Sequence, residues 1–383
     1  MTHGKNGAGA NAKPVNLALQ GGGSHGAFTW GVLDALLADG RLKFQAISGA
    51  SAGAMNAVVL ADGWVRGGAE GARQKLEEFW RAVADRGSFS PIQRTPFDRL
   101  TGNWAIDMSP GYLWFDAMSR FVSPYMANPF NLNPLLDVLH EIVDFDRVRA
   151  CKDFRLFIAT TNVRTGKPQV FEREELTAEM VMASACLPHL FQAVEIDGIP
   201  YWDGGYGGNP PLWPFFYANR TEDVLLVQIN AIERPETPRT AREIQDRIDE
   251  ITFNAGLLRE FRAMAFVQKL LRDGRVSHED YRDVRMHRID ADGALSGLAP
   301  STKVNAEWAF LVYMRDLGIA TAQDWLEANF DAIGREATLD LSHELDEAMD
   351  TIGAMERCGA RTLEVLARPD RPRHFNKPRK AAR

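Results

Sequence analysis

The sequence predicts an α/β fold in which a mainly parallel central sheet is covered by helices. Two successive units of strand, glycine-rich turn and helix occupy residues 15–59, and strand-like apolar runs return after residue 150. Parallel neighbouring strands need a crossover connection, and that crossover is usually a helix. The last 150 residues show mainly helical patterns, which predict a helical C-terminal extension.

The two N-terminal units share one plan. In the first, a strand at residues 15–19 runs into a glycine loop at residues 21–26, and the helix that follows ends at Gly40. In the second, a strand at residues 44–47 runs into a turn at residues 48–53 and then into another helix. Apolar residues at helical spacing after each turn are the signal for the helices.

The rest of the chain divides into a core domain, an insertion and a C-terminal region. Six prolines and many aromatic residues in the segment 86–134 indicate an insertion of short helices and loops. The Asp197-Gly198 pair favours a hairpin turn between two apolar runs. The predicted segments are a flexible leader (1–14), the core domain (15–235), a mainly helical extension (236–368), a basic tail (369–383), strands (154–161, 168–171, 224–229), a helix (177–187) and a hairpin (194–202).

Composition narrows the class of protein. The 383 residues are 45% hydrophobic and 25% charged, as in ordinary globular proteins. Three cysteines lie far apart, so neither a disulfide framework nor a thiolate metal site is expected. No secretion signal or membrane span is apparent, and we expect a cytoplasmic protein that contacts the inner face of a membrane at most peripherally.

The charge distribution is uneven along the chain. Residues 368–383 contain seven Lys or Arg and one acid, although the whole chain has a net charge of −7. The acidic remainder speaks against nucleic-acid binding. The basic end is interpreted as a solvated tail, with attraction to an anionic membrane surface as the alternative.

Residues 49–53 fit the pattern G-x-S-x-G and centre on Ser51. This pattern is typical of a sharp turn between a strand and a helix that exposes a nucleophilic serine above a sheet. Gly49, Gly53 and two alanines keep the flanks of Ser51 small, as such a strained turn requires. Ser51 is therefore the candidate nucleophile.

The glycine loop at residues 21–26 admits two interpretations. Its G-x-G-x-x-G spelling also occurs in dinucleotide-binding folds, which place an acidic residue at the end of the second strand. Here that strand ends in Ser48 and Gly49, without an acid. Unpaired N–H groups at a helix start bind negative charge in general, including the transient oxyanion of ester hydrolysis. An oxyanion site is the better interpretation.

A serine nucleophile needs a base, and Asp203 is the preferred candidate. It ends the second strand of the predicted hairpin, and Gly204 and Gly205 after it allow close approach of the backbone. Burial would raise its ordinarily low pKa toward a useful value. Among eight scattered histidines, His189 is the first candidate if a serine, acid and histidine triad applied.

Together, residues 21–26, 49–53 and 203–205 resemble the patatin-like phospholipase family in order and context. The resemblance covers about residues 15–230 and implies a three-layer α/β/α sandwich that carries a Ser–Asp dyad, with no metal or cofactor. It implies an acyl-enzyme on Ser51 with Asp203 as general base. The implied oxyanion donors are the N–H groups of Gly21, Gly22, Gly23 and Ala52, and the implied supporting residues are Gly26, Gly49, Gly53, Gly204 and Gly205.

One position departs from the family pattern. Many members carry Arg or Lys before the last glycine of the loop, where this chain has His25. The departure leaves open which positive charge, if any, supports the loop.

The expected function is hydrolysis of lipid carboxylic esters, with phospholipid as the expected substrate. The aromatic insertion and the apolar run at residues 212–217 could provide an acyl-chain channel or an interfacial face, although core packing also explains many of these residues. Two alternatives stay open: a carboxylesterase acting on short-chain or polymeric esters such as hydroxyalkanoate oligomers, and a non-catalytic peripheral lipid-binding protein. The sequence does not define the oligomeric state.

Overall fold

The computed structural model describes residues 12–119, 121–218, 221–234, 236–290 and 292–345. One compact unit extends to Leu339, and residues after it form a second unit, of which residues 340–345 are described, with a short 3₁₀ turn at His343–Leu345. The basic tail and most of the predicted leader lie outside the described residues.

An eight-stranded mixed sheet forms the centre of the fold. Its main path runs in the order β5-β6-β3-β2-β1-β7-β8, and β4 pairs with β3. The five strands from β3 to β8 along this path are parallel, whereas β4, β5 and β6 are antiparallel to their neighbours. The strands are β1 (Lys13–Leu19), β2 (Leu42–Gly49), β3 (Arg155–Asn162), β4 (Pro168–Glu172), β5 (Val194–Ile196), β6 (Ile199–Asp203), β7 (Asp223–Val227) and β8 (Arg285–Ile289).

Helices surround the sheet, and the predicted α/β class is confirmed. The central strands β1 and β7 are buried almost throughout, as expected for strands covered on both faces. The helices are α1 (Gly26–Asp39), α2 (Ala52–Gly87), α3 (Pro96–Thr101), α4 (Pro110–Ser119), α5 (Pro124–Ala127), α6 (Pro134–Ile142), α7 (Phe145–Ala150), α8 (Ala178–Ser184), α9 (Trp213–Ala218), α10 (Ala241–Arg272), α11 (Asp292–Ser296) and α12 (Trp308–Asn329).

The region after residue 235 contributes to the core of the compact unit. Strand β8 extends the sheet beside β7, and α12 packs along α1. The region is mainly helical as predicted, but the sequence pattern did not indicate β8. Arg285 and Arg288 make this strand look solvent-exposed in the sequence. In the structure, Arg285 forms ion pairs with Asp223, the first residue of β7, and with Glu222, the residue before it.

The aromatic insertion consists of short helices and loops. The chain between α2 and α6 forms the short helices α3, α4 and α5 with loops between them. Prolines begin each of these helices, where the missing N–H removes no intrahelical hydrogen bond.

Candidate active site

The predicted motifs meet at the carboxyl edge of the parallel strands. The glycine loop follows β1 and the serine turn follows β2, which is the strand next to β1. Asp203 ends β6 and pairs with Thr160 near the end of β3. Ligand sites in open α/β sheets form at this edge, because loops from neighbouring strands converge there.

Ser51 occupies a strained turn between β2 and α2. Its φ and ψ are 52° and −123°, a conformation that non-glycine residues rarely adopt. The Ser51 N–H donates to the Ser184 carbonyl at 3.1 Å and to the Ser184 hydroxyl at 2.9 Å. Both bonds hold the turn from α8, so the strain is fixed by the surrounding structure.

Two glycines allow the turn and the glycine loop to touch. A Cβ on Gly21 would lie 2.5 Å from the Cβ of Ser51, and one on Gly53 would lie 2.1 Å from the Leu19 carbonyl oxygen. Real Cβ atoms do not approach other atoms this closely. The glycine loop can therefore reach Ser51 only because these positions lack side chains.

Asp203 is fully buried beside Ser51. Its Oδ1 accepts the Gly205 N–H at 2.7 Å. Burial raises the pKa of Asp203 to about 7, against the opposing effect of hydrogen bonds from the Gly205 N–H and the Ser51 side chain. Within the described part of the chain Oδ2 has no hydrogen-bond partner.

The backbone amides around Ser51 differ in their availability. Gly21 N–H donates to Asn209 Oδ1 at 2.7 Å, so it is not free to bind an oxyanion, and its predicted role as a donor needs revision. The N–H groups of Gly22, Gly23 and Ala52 have no acceptor among the described residues. These three remain the candidate oxyanion donors.

Three amide side chains fix the start of the glycine loop, and nothing in the sequence pattern singles them out. Asn209 and Asn230 both bond to Gly21, the latter through Nδ2 to the carbonyl oxygen at 2.6 Å. Gln20 Oε1 accepts the backbone N–H groups of Ile229 and Asn230, each at 3.0 Å. The loop is thus held by residues that follow β6 and β7, which no local motif could reveal.

His25 is buried and uncharged. Burial, with a smaller contribution from the charge of Lys303, lowers its pKa to about 3. The Thr302 hydroxyl lies 2.7 Å from His25 Nε2 and donates to the Ala299 carbonyl, so it accepts the Nε2 proton. This position of the loop is therefore neutral in this chain.

Lys303, whose pKa is lowered by burial, brings an amino group to the loop from a distant part of the sequence. Its Nζ donates to Asn230 Oδ1 at 3.0 Å, and Asn230 in turn bonds to Gly21. A Cβ on Gly23 would lie 2.3 Å from the Lys303 carbonyl oxygen, so this backbone also touches the loop. The 3₁₀ turn at Pro300–Val304 is a second support of the glycine loop.

Other candidate groups lie away from the dyad. His189 is exposed, and within the described ranges it bonds to neither Ser51 nor Asp203. Of two surface cavities, the one of about 580 Å³ is lined by apolar and polar residues alike and the one of about 880 Å³ mostly by polar and charged residues. Neither lining includes Ser51 or Asp203.

The described residues contain neither a cluster of metal ligands nor a candidate membrane span. Among the residues that the structure describes, no three His, Cys, Asp or Glu side chains cluster as metal ligands would. No helix in the same ranges has the length and apolar character that crossing a bilayer requires.

The chain is similar to a known protein family in sequence and to solved structures in fold. The sequence model described as Patatin-like phospholipase matches residues 17–216. VipD from Legionella pneumophila is similar at 17% identity and a TM-score of 0.43, over 83% of this chain and 67% of VipD. A chain of the ExoU–SpcU complex from the type III secretion system of Pseudomonas aeruginosa is similar at 15% identity and a TM-score of 0.34, over 92% of this chain and 61% of that one. A search of curated proteins gave no significant match.

Proposed function

The chain belongs to the patatin-like phospholipase family, and on that basis we propose that it hydrolyses carboxylic ester bonds of lipids, with phospholipid as substrate. Ser51 is the proposed nucleophile and Asp203 the proposed general base. The observation that carries the proposal is the buried Asp203 carboxyl beside the strained Ser51 turn, with its pKa raised to about 7.

In the first half of the proposed reaction, Asp203 takes the proton of the Ser51 hydroxyl as Oγ attacks the ester carbonyl carbon. The carbonyl π electrons move to oxygen, and the N–H groups of Gly22, Gly23 and Ala52 hold the resulting oxyanion. Each such donor is worth roughly 3 to 4 kcal/mol in a well-studied protease. The intermediate then collapses, the ester C–O bond breaks, and the departing alcohol takes the proton from Asp203.

In the second half, water clears the acyl group from Ser51. Asp203 accepts a proton from the attacking water, and the same amides hold the second oxyanion. Collapse releases the carboxylic acid, and the proton returns from Asp203 to the Ser51 oxygen. One carboxylate thus serves both halves as base and acid.

The raised pKa of Asp203 matters for the rate. An ordinary aspartate is almost fully ionised at neutral pH but is a weak base toward an alcohol. A carboxylate whose pKa is about 7 is still substantially ionised at pH 7 and accepts a proton with far better driving force. The burial of Asp203, which raises its pKa, therefore supports a role as base.

The test compares wild type with Ser51→Ala and Asp203→Asn on phospholipid vesicles and on a soluble short-chain ester. We expect release of fatty acid from the vesicles by wild type and loss of both activities in the two variants, which should keep the wild-type circular dichroism spectrum. Cleavage of the soluble ester alone would replace the phospholipase proposal with a carboxylesterase. Turnover retained in Ser51→Ala would refute the mechanism, and absence of any turnover in wild type would favour a non-catalytic lipid-binding protein.

A further inference from the structure

The aromatic insertion exposes large apolar side chains that the fold does not bury. Between residues 108 and 132 the side chains of Met108, Trp114, Phe121, Met126, Phe130 and Leu132 are 66–87% exposed. Helices α4 and α5 in this stretch contain no buried residue. We call these six side chains the apolar rim. Monomeric proteins rarely expose so many large apolar groups together unless the surface contacts something.

The apolar rim is anchored next to the dyad at its C-terminal side. Gln192 Nε2 donates to the Asn128 carbonyl at 2.7 Å, and the Tyr125 hydroxyl accepts the Ala193 N–H at 3.2 Å. Cys186, whose thiol donates to the Gln192 carbonyl, accepts the Asp203 N–H through its own carbonyl at 2.9 Å. Few hydrogen bonds therefore separate this part of the rim from the proposed base.

The other side of the insertion is anchored next to the glycine loop. Ile106 N–H donates to Ser301 Oγ at 3.2 Å, and Asn305 Nδ2 donates to the Trp104 carbonyl at 3.0 Å. Ser301 belongs to the 3₁₀ turn whose Lys303 carbonyl touches Gly23. The exposed stretch thus runs between two anchors, one beside the oxyanion donors and one beside Asp203.

The net charge of residues 108–132 indicates which kind of membrane surface this stretch would contact. Residues 108–132 contain one acid and one base, Asp116 and Arg120, in a chain whose net charge is −7. A stretch with no net charge gains little from an anionic membrane, because polybasic segments such as residues 368–383, and not this stretch, supply that attraction. Apolar and aromatic side chains instead enter the boundary between headgroups and acyl chains of any bilayer.

We propose that the apolar rim docks the enzyme on a zwitterionic phospholipid surface, so that the mouth of the Ser51–Asp203 site faces the lipid from which substrate is drawn. The inference rests on the proposed function for the identity of the substrate, but docking itself requires no turnover. It also explains why the insertion keeps apolar residues at positions that water would otherwise favour as polar.

Docking is measured with Ser51→Ala, which leaves the vesicles intact. Sedimentation with phosphatidylcholine vesicles is compared for this protein and for the same protein carrying Phe130→Ser and Leu132→Ser. We expect partitioning to fall by about tenfold or more, since each side chain loses its apolar burial in the bilayer. The matched control carries Phe266→Ser and Tyr281→Ser, which replace exposed aromatic residues outside the insertion and should leave partitioning unchanged.

Salt distinguishes the proposed mode from an electrostatic one. Partitioning should be the same at about 0.05 M and about 0.5 M salt, because a neutral contact is not screened. In the otherwise wild-type background, the Phe130→Ser and Leu132→Ser changes should reduce vesicle hydrolysis and leave cleavage of the soluble ester unchanged. If the protein hydrolyses nothing, the Ser51→Ala binding result still decides the docking claim.

Three outcomes would overturn the proposal. The first is absence of binding to phosphatidylcholine vesicles. The second is binding that needs anionic lipid or disappears at high salt. The third is a self-association, seen by analytical ultracentrifugation, that the two insertion substitutions abolish while vesicle binding is unaffected; the rim would then be an interface between copies of this chain.

Discussion

Two buried aspartates at opposite ends of the sheet have opposite environments. Asp203 ends β6 and Asp223 begins β7, and neither is more than 2% exposed. Asp223 accepts hydrogen bonds from Arg285, His287 and the Gly334 N–H. Asp203 accepts one backbone bond at Oδ1, and in the described part of the chain no cation bonds to it.

The pKa values of the two carboxyls diverge for this reason. Burial alone would raise the pKa of Asp223, but bonds from His287, Arg285 and the Gly334 N–H outweigh burial and hold the pKa well below its usual range. Burial dominates at Asp203 and raises its pKa to about 7. A buried carboxylate with partners on all sides serves structure, whereas one left with unused basicity beside a serine is suited to chemistry.

The largest expected contrast is in activity. Asp203→Asn should lower kcat/KM for ester hydrolysis by about 10⁴-fold or more, because a nucleophile and its base act together and loss of the base disables the dyad. Asp223→Asn should leave kcat/KM of the folded protein within a few-fold of wild type, because it lies at the other end of the strands. Steady-state kinetics on a soluble ester measures both. Equal losses of kcat/KM in the two variants would contradict the assignment of a catalytic role to Asp203 and a structural role to Asp223.

Stability should show the reverse order. Asp223→Asn leaves Arg285 and His287 with a neutral partner and should destabilise the fold by about 3 kcal/mol or more. Asp203→Asn should not lower stability at neutral pH, because it removes a carboxylate that burial disfavours. Urea unfolding gives both free energies. A larger loss for Asp203→Asn than for Asp223→Asn would contradict this account.

The pH dependence of stability should also have opposite signs. The pKa of Asp203 is about 7 in the folded state, against an ordinary value of 3.8 for the unfolded chain. Its contribution to the free energy of unfolding is therefore fully present below about pH 4 and is lost as pH rises to about 7. Between about pH 4 and pH 7, the free energy of unfolding of Asp203→Asn should rise relative to that of wild type by up to about 4 kcal/mol. The contribution of Asp223 is present above pH 4 and is lost as pH falls below it. Unfolding curves from pH 3 to 8 check both signs. A stability gain for Asp203→Asn that appears at acid pH and not at neutral pH would contradict this account.

The smallest effect concerns the support of the glycine loop. Lys303→Met removes the amino group that donates to Asn230 and should reduce kcat by about tenfold, by loosening the proposed oxyanion donors. KM for a soluble ester should change little, and Lys303→Arg should restore part of kcat. Lys152→Met, an exposed lysine, is the control. A change in KM alone would assign Lys303 to substrate binding.

The sequence predicted the parts of the fold and site that local patterns specify. The two strand–turn–helix units, the positive φ at Asp197 and Gly198 in the hairpin and the strained setting of Ser51 all follow from short motifs. The support of the glycine loop could not be predicted, since Asn209, Asn230 and Lys303 come to it from positions about 190 to 280 residues further along the chain. No short sequence motif includes these three residues.

The prediction that Gly21 is an oxyanion donor depends on the same kind of long-range contact. A glycine run indicates that amides converge but not which of them an internal acceptor already occupies, and Asn209 Oδ1 occupies that of Gly21. Likewise, β8 escapes prediction because the partners of Arg285 lie on another strand. Long-range pairing of polar groups is what a single sequence reveals least.

The central claim, that Asp203 activates Ser51, is tested most directly by the rate at which a fluorophosphonate modifies the protein as pH is varied. The account predicts one modified peptide, containing Ser51, and a rate that rises with pH around a midpoint near 7, where Asp203 loses its proton. Asp203→Asn should react far more slowly at every pH. Modification at another residue, or an Asp203→Asn variant that reacts at the wild-type rate, would contradict the claim.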